Sequence, residues 1–114
     1  METGERDLAI LQKIRMYCSE IEEAHESFHR SYDAFCKSSL YRNAVCLCLL
    51  QIGELCAHLS DAFRETHGQI PWRQIRGMRN VVAHEYGNID AQIVWETVTE
   101  DIPKIAQFCD ALLG

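Results

Sequence analysis

The densest group of chemically competent side chains is the run Arg79-Asn80-Val81-Val82-Ala83-His84-Glu85-Tyr86, with Arg73 and Arg76 just upstream. A histidine titrates near neutrality and can move protons. An arginine presents a planar fork to a phosphate and stabilises the charge that builds there during transfer. Together the two suffice for metal-free RNA cleavage, in which the ribose 2′-hydroxyl attacks the adjacent phosphate. DNA lacks that hydroxyl and is spared. On a helix Asn80 and His84 share a face, whereas Arg79 and His84 are turned about 140° from each other. That pair converges where a helix ends near His84 or where two copies meet across a dimer. The same spacing also fits a plainer arrangement, with His84 at a helix C-terminus and Arg79 in a surface ion pair.

The elements that carry these residues follow from apolar spacing, which recurs at three and four rather than two. Leu11, Ile14, Cys18 and Ile21 form a stripe, continued loosely by His25, Phe28 and Tyr32, and predict one long helix from about Glu5 to about His29. Asp33 to Ser39 reads as a connection, with Ser38 or Ser39 placed to cap the next helix. Tyr41, Val45, Cys48, Ile52, Cys56, Leu59 and Phe63 predict a second helix from about Leu40 to about Glu65. Its first half is apolar nearly all round, as in a helix at the centre of a bundle or one covered again by a partner subunit. His67-Gly68 ends it, and Ile70-Pro71-Trp72 starts a third helix that runs to about Ala83. A loop over Glu85 to Asn88 leads to a fourth helix from near Asp90, which Pro103 should kink or restart near Asp101. The expected fold is all-α, an antiparallel bundle of four to five helices in a single domain spanning residues 1–114.

Charge and cysteine content narrow the function. Seventeen acidic residues against eleven basic ones give a net charge of −6, unlike a long-footprint nucleic-acid binder whose affinity comes from many Lys–phosphate and Arg–phosphate contacts. The middle of the chain, residues 36–84, is nevertheless basic, and its arginines (Arg42, Arg64, Arg73, Arg76, Arg79) suit a small anionic substrate. The six cysteines contain no CxxC pair and fall mostly in apolar stretches, so they read as reduced, buried small hydrophobes rather than zinc ligands. Its longest strongly apolar run, Ala44 to Ile52, is far short of the ~20 residues of a membrane span. Met1 to Asp7 is polar and acidic, unlike a secretory signal, and a cytoplasmic location is expected.

The stretch from Ile70 to Tyr86 resembles the hallmark of the HepT-like branch of the HEPN superfamily, toxins of bacterial and archaeal toxin–antitoxin pairs. Its motif, Arg, four residues, His, any residue, Tyr, falls on Arg79, His84 and Tyr86. The resemblance covers about residues 8–113, including Ile52-Gly53-Glu54, Leu59 to Arg64, Asn88-Ile89-Asp90, Val94-Trp95 and Asp101-Ile102-Pro103. It implies a dimeric all-α bundle that gathers two copies of the motif in one cleft and cuts RNA without a metal or other cofactor. Arg79 and His84 match the catalytic positions, and Asn80 and Glu54 are assigned supporting roles. Arg73 and Arg76 are candidates for holding RNA phosphates. The implied partner is a minimal nucleotidyltransferase antitoxin, in a type VII-like pair, that transfers AMP from ATP to the motif tyrosine, Tyr86. Neither a membrane nor DNA is an expected partner.

Two other readings belong to different classes. The net charge and Glu85 beside His84 also suit a non-catalytic HEPN module that binds the nucleotidyltransferase. His25 and His29, four apart beside Glu22 and Glu26, have metal-ligand spacing but no third ligand at a fixed distance; the plainer reading of both is a solvated polar face. Trp72 and Trp95 read as core or interface anchors.

Overall fold

The first helix, α1 (Glu5–Ser27), buries Leu11, Ile14, Cys18 and Ile21, the stripe that the spacing marks out. It ends in two consecutive residues of left-handed backbone, His29 (φ 57°) and Arg30 (φ 54°), and the Arg30 N–H donates to the His25 carbonyl at 2.8 Å. In this computed structural model residues 4–84 and 90–114 are described.

The expected connection after α1 is itself helical: α2 (Tyr32–Lys37) is capped by Ser31, whose hydroxyl accepts from the Ala34 N–H at 3.1 Å. Six residues have little helix stability of their own, and burial of Phe35, fully enclosed, supplies what local propensity does not. Ser38 caps α3 (Ser39–His58), accepting from the Tyr41 N–H at 3.2 Å, as anticipated.

α3 stops at His58 rather than near Glu65. Leu59 and Ser60 take extended backbone, and Ser60 caps a separate short helix, α4 (Asp61–Thr66), through the Phe63 N–H at 3.1 Å. The break is fixed from a distance by Asp7 of α1, which accepts the Ser60 N–H at 2.9 Å and its hydroxyl at 2.7 Å. After α5 (Trp72–His84), Asp90 caps α6 (Ala91–Glu96) by accepting from the Gln92 and Ile93 N–H groups. A π-helical turn, Thr97–Asp101, then joins α6 to α7 (Ile102–Leu113). Pro103 sits in the first turn of α7, where its missing N–H is harmless, so the restart near Asp101 falls where the proline requires it.

α3 packs on α1 and α5, and α7 packs on α1. No strand occurs among the described residues, and the fold is an all-α bundle with more helical segments than the four to five expected, the extra ones being the short α2 and α4. Taken alone, α3 is long and apolar enough to cross a membrane, a property that the nine-residue apolar run did not suggest. Here its Val45, Leu49 and Ile52 are fully enclosed between α1 and α5, as in a core helix. Five of the six thiols are buried, Cys36 being exposed. Burial pushes Cys18, Cys48 and Cys56 up to about 12 and Cys46 and Cys109 up to about 11.

Candidate functional site

α5 is anchored at its start. Trp72 is buried and donates its indole N–H to the His67 carbonyl at 2.9 Å, while Phe63 and Phe108 pack around its ring and His67 packs on Phe108. From there Ile75, Met78 and Val82 face the core at helical spacing. The remaining positions of the helix carry the polar candidates: Arg73, Arg76 and Asn80 are exposed, and Arg79 lies on the shoulder next to α3.

The ion pair between Arg79 and Glu54 is the local electrostatic feature. Arg79 Nη1 donates to Glu54 Oε1 at 2.7 Å, across 25 residues of sequence. Side-chain exposures of 39% and 45% leave the pair open to solvent and therefore to a solute. Glu54, given a supporting role from the sequence, is an arginine's partner, and it is half-exposed. Among the described residues Glu54 engages one terminal nitrogen of the fork. A phosphate can then approach the rest of the guanidinium without first breaking the pair.

α5 as described reaches His84, five residues beyond Arg79. The His84 side chain, Glu85 and Tyr86 lie outside the described residues, as does the loop expected over Glu85 to Asn88.

The basic middle of the chain divides into two groups. Arg42 donates to the Phe35 and Cys36 carbonyls at the end of α2, and Arg64 donates to the Cys56 and Ala57 carbonyls at the end of α3. Both close helix C-termini, where cations are favoured, rather than forming part of an anion site. Arg73, Arg76 and Arg79 stay together on α5. The reassignment of Arg42 and Arg64 was not legible in composition, because every arginine adds equally to a local charge count.

His25 and His29 do not share a site. His25 is buried, contrary to the solvated face expected for it: its Nδ1 hydrogen-bonds the Tyr41 hydroxyl and its ring meets Trp95 edge-on, while His29 is exposed. Burial lowers the His25 pKa, with the Val98 carbonyl opposing. Among the described residues no three His, Cys, Asp or Glu side chains are grouped to hold a metal ion. Trp95 completes an aromatic cluster with Tyr41, Phe35 and Tyr32, a core role like that of Trp72.

Comparison with known proteins bears on what such an arrangement does. A protein of Caldanaerobacter subterraneus subsp. tengcongensis named "Putative RNase TTE0752" is 37% identical over 75 residues, covering 66% of this chain and 67% of its own. One of Methanocaldococcus jannaschii named "Putative RNase MJ1380" is 38% identical over 74 residues, covering 65% and 68%. A third, "Probable ribonuclease HepT" of Thermococcus cleftensis, is 39% identical over 62 residues, covering 54% and 56%. No solved structure matches. The family model described as "Ribonuclease HepT-like" matches residues 14–112, which takes in α5, Glu54 and the whole Arg79-to-Tyr86 motif, and the chain belongs to this HEPN-type ribonuclease family.

Proposed function

We propose that this chain is the toxin of a type VII-like toxin–antitoxin pair in the cytoplasm, a metal-independent endoribonuclease that works as a homodimer. The observation that carries this reading is Arg79, held half-exposed by Glu54 on the helix that also carries His84, within a chain of the HepT-like ribonuclease family. In the reaction His84 takes the proton of the ribose 2′-hydroxyl as its oxygen attacks the neighbouring phosphorus. The new O2′–P bond forms as the P–O5′ bond breaks, a proton is delivered to the departing 5′-oxygen, and a 2′,3′-cyclic phosphate remains. Arg79 neutralises charge on the non-bridging oxygens, and Asn80, one residue on, serves the same phosphate. Arg73 and Arg76 hold flanking phosphates as point contacts that carry no sequence preference.

The dimer is supported by α3, where Leu40 (70% exposed) and Leu47 (58%) lie two turns apart on one face and present apolar surface to solvent. Silencing is assigned to a nucleotidyltransferase antitoxin. The Tyr86 hydroxyl attacks the α-phosphorus of ATP, pyrophosphate leaves, and the attached AMP brings bulk and negative charge next to His84, where RNA phosphate must bind.

The test is cleavage of total cellular RNA in EDTA by wild type of verified unmodified mass, by His84→Ala and by wild type adenylylated by its antitoxin. Only unmodified wild type should cut, leaving 2′,3′-cyclic ends. Cleavage retained by folded His84→Ala would overturn the catalytic assignment. If none cuts although all are folded and dimeric, the chain is instead a binding module for the nucleotidyltransferase, the reading that the net charge of −6 favours.

A further inference from the structure

Gly53 is buried in the middle of α3, where a glycine costs about 1 kcal/mol relative to alanine. Its surroundings explain why it is there. A Cβ built on Gly53 would lie 3.1 Å from the Ile75 carbonyl oxygen, 3.2 Å from the Arg79 Cβ and 3.5 Å from the Arg79 nitrogen. Ile75 and Arg79 are one turn apart, so the whole turn of α5 that carries Arg79 rests on bare α3 backbone at this point. The next residue of α3 is Glu54, which receives the Arg79 guanidinium at 2.7 Å. Gly77, by contrast, has nothing within 4 Å of its would-be Cβ, so among the described glycines the close approach to another element belongs to Gly53.

We infer that Gly53 is a positioning residue for Arg79: its missing side chain sets the spacing of α3 and α5 at which the guanidinium meets Glu54. Adding one methyl would displace the Arg79 turn by a few tenths of an ångström, because the two atoms in the way, the Ile75 carbonyl oxygen and the Arg79 Cβ, are fixed to the helix and cannot swing aside. The reach of Arg79 to Glu54 and to a scissile phosphate changes together, and displacements of this order at a reacting centre are costly to rate. The inference rests on the proposed role of Arg79 for its catalytic consequence but not for its geometric one.

The experiment compares wild type, Gly53→Ala, Glu54→Gln and Ile75→Val on a mixed-sequence single-stranded oligoribonucleotide, well below the melting temperature of each. In parallel it follows the Arg79 side-chain N–H resonances, assigned by their loss in Arg79→Lys. Ile75→Val removes a buried methyl from the same turn of α5 without altering Arg79 and serves as the measure of simple destabilisation. Gly53→Ala should lose about tenfold or more in kcat with KM within about twofold, and should lose the slowed guanidinium rotation that marks the pair, as Glu54→Gln does. Ile75→Val should melt earlier yet keep both kcat and the resonances. Gly53→Ala with the wild-type resonance pattern, or with a loss of kcat no greater than that of Ile75→Val, overturns the inference. If wild type itself does not cut, the ribonuclease reading fails while the resonances still decide whether Gly53 positions Arg79. Should Gly53→Ala not fold in buffer, all four proteins are measured in trimethylamine N-oxide, which favours the folded state without touching the contact.

Discussion

Asp7 holds Ser60 by two hydrogen bonds across 53 residues, its carboxylate accepting both the backbone N–H (2.9 Å) and the hydroxyl (2.7 Å). One buried carboxylate thereby decides where α3 ends and α4 begins, and the Ser60 hydroxyl, so held, accepts from the Phe63 N–H to cap α4. Hydrogen bonds to a charged group are worth about 1.5–3 kcal/mol net. Asp7→Ala should therefore destabilise the protein by about 2 kcal/mol in urea unfolding, and Asp7→Asn by less, because its amide keeps one acceptor. Amide exchange over Asp61–Thr66 should speed up in both variants. An unchanged midpoint for Asp7→Ala would remove Asp7 as the anchor of the break.

His25 supplies a pH dependence of known sign. Burial lowers its pKa in the fold, while the unfolded chain keeps the ordinary value near 6.5. Above that pH neither state carries the proton and the stability is fully present. As the pH falls below about 6.5 the unfolded state takes up a proton that the native state refuses, and stability is lost until the native pKa is reached. Wild type should lose about 1 kcal/mol more than His25→Asn between pH 7.5 and 5.5, Asn being able to keep a hydrogen bond to Tyr41. Parallel stability–pH curves for the two proteins would show that His25 titrates normally.

The thiols should report the fold chemically. Cys36 is exposed, whereas the other five are buried and are pushed up to about 11 or 12. The thiolate is the reactive form, so brief iodoacetamide treatment of native protein at pH 8 should add one carbamidomethyl group, at Cys36. Denaturant should expose all six. Rapid native labelling at Cys56 or Cys109 would mean that the α1–α3–α7 core opens readily.

Arg79→Lys separates charge from geometry. A lysine keeps the positive charge but offers a point donor in place of a fork, so it can satisfy Glu54 or a phosphate but not both with fixed orientation. Cleavage should fall about 100-fold or more in kcat while the melting temperature moves little, the pair being half-exposed and such pairs contributing little to stability. Near-wild-type cleavage by Arg79→Lys would mean that only charge is required there.

The long helices, the Ser38 cap, the helix start near Asp90, the restart at Pro103 and the arginines of α5 were legible in the sequence, because each depends on neighbours within a few residues. Apolar spacing states which face of a helix is buried, a cap needs an N–H two or three residues on, and a proline breaks its own turn. The tertiary structure decided the rest. The α3 stripe continues through Leu59 and Phe63, and nothing local announces that Asp7 interrupts it. Six residues around Phe35 become helical only because the core encloses that ring. Arg42 and Arg64 leave the anion site because carbonyls at two helix ends need donors, and His25 leaves the solvent because Tyr41 and Trp95 meet it from other helices. The partnership of Arg79 with Glu54 belongs to this second class. It spans 25 residues and depends on how closely two helices approach at Gly53, a distance that only packing sets.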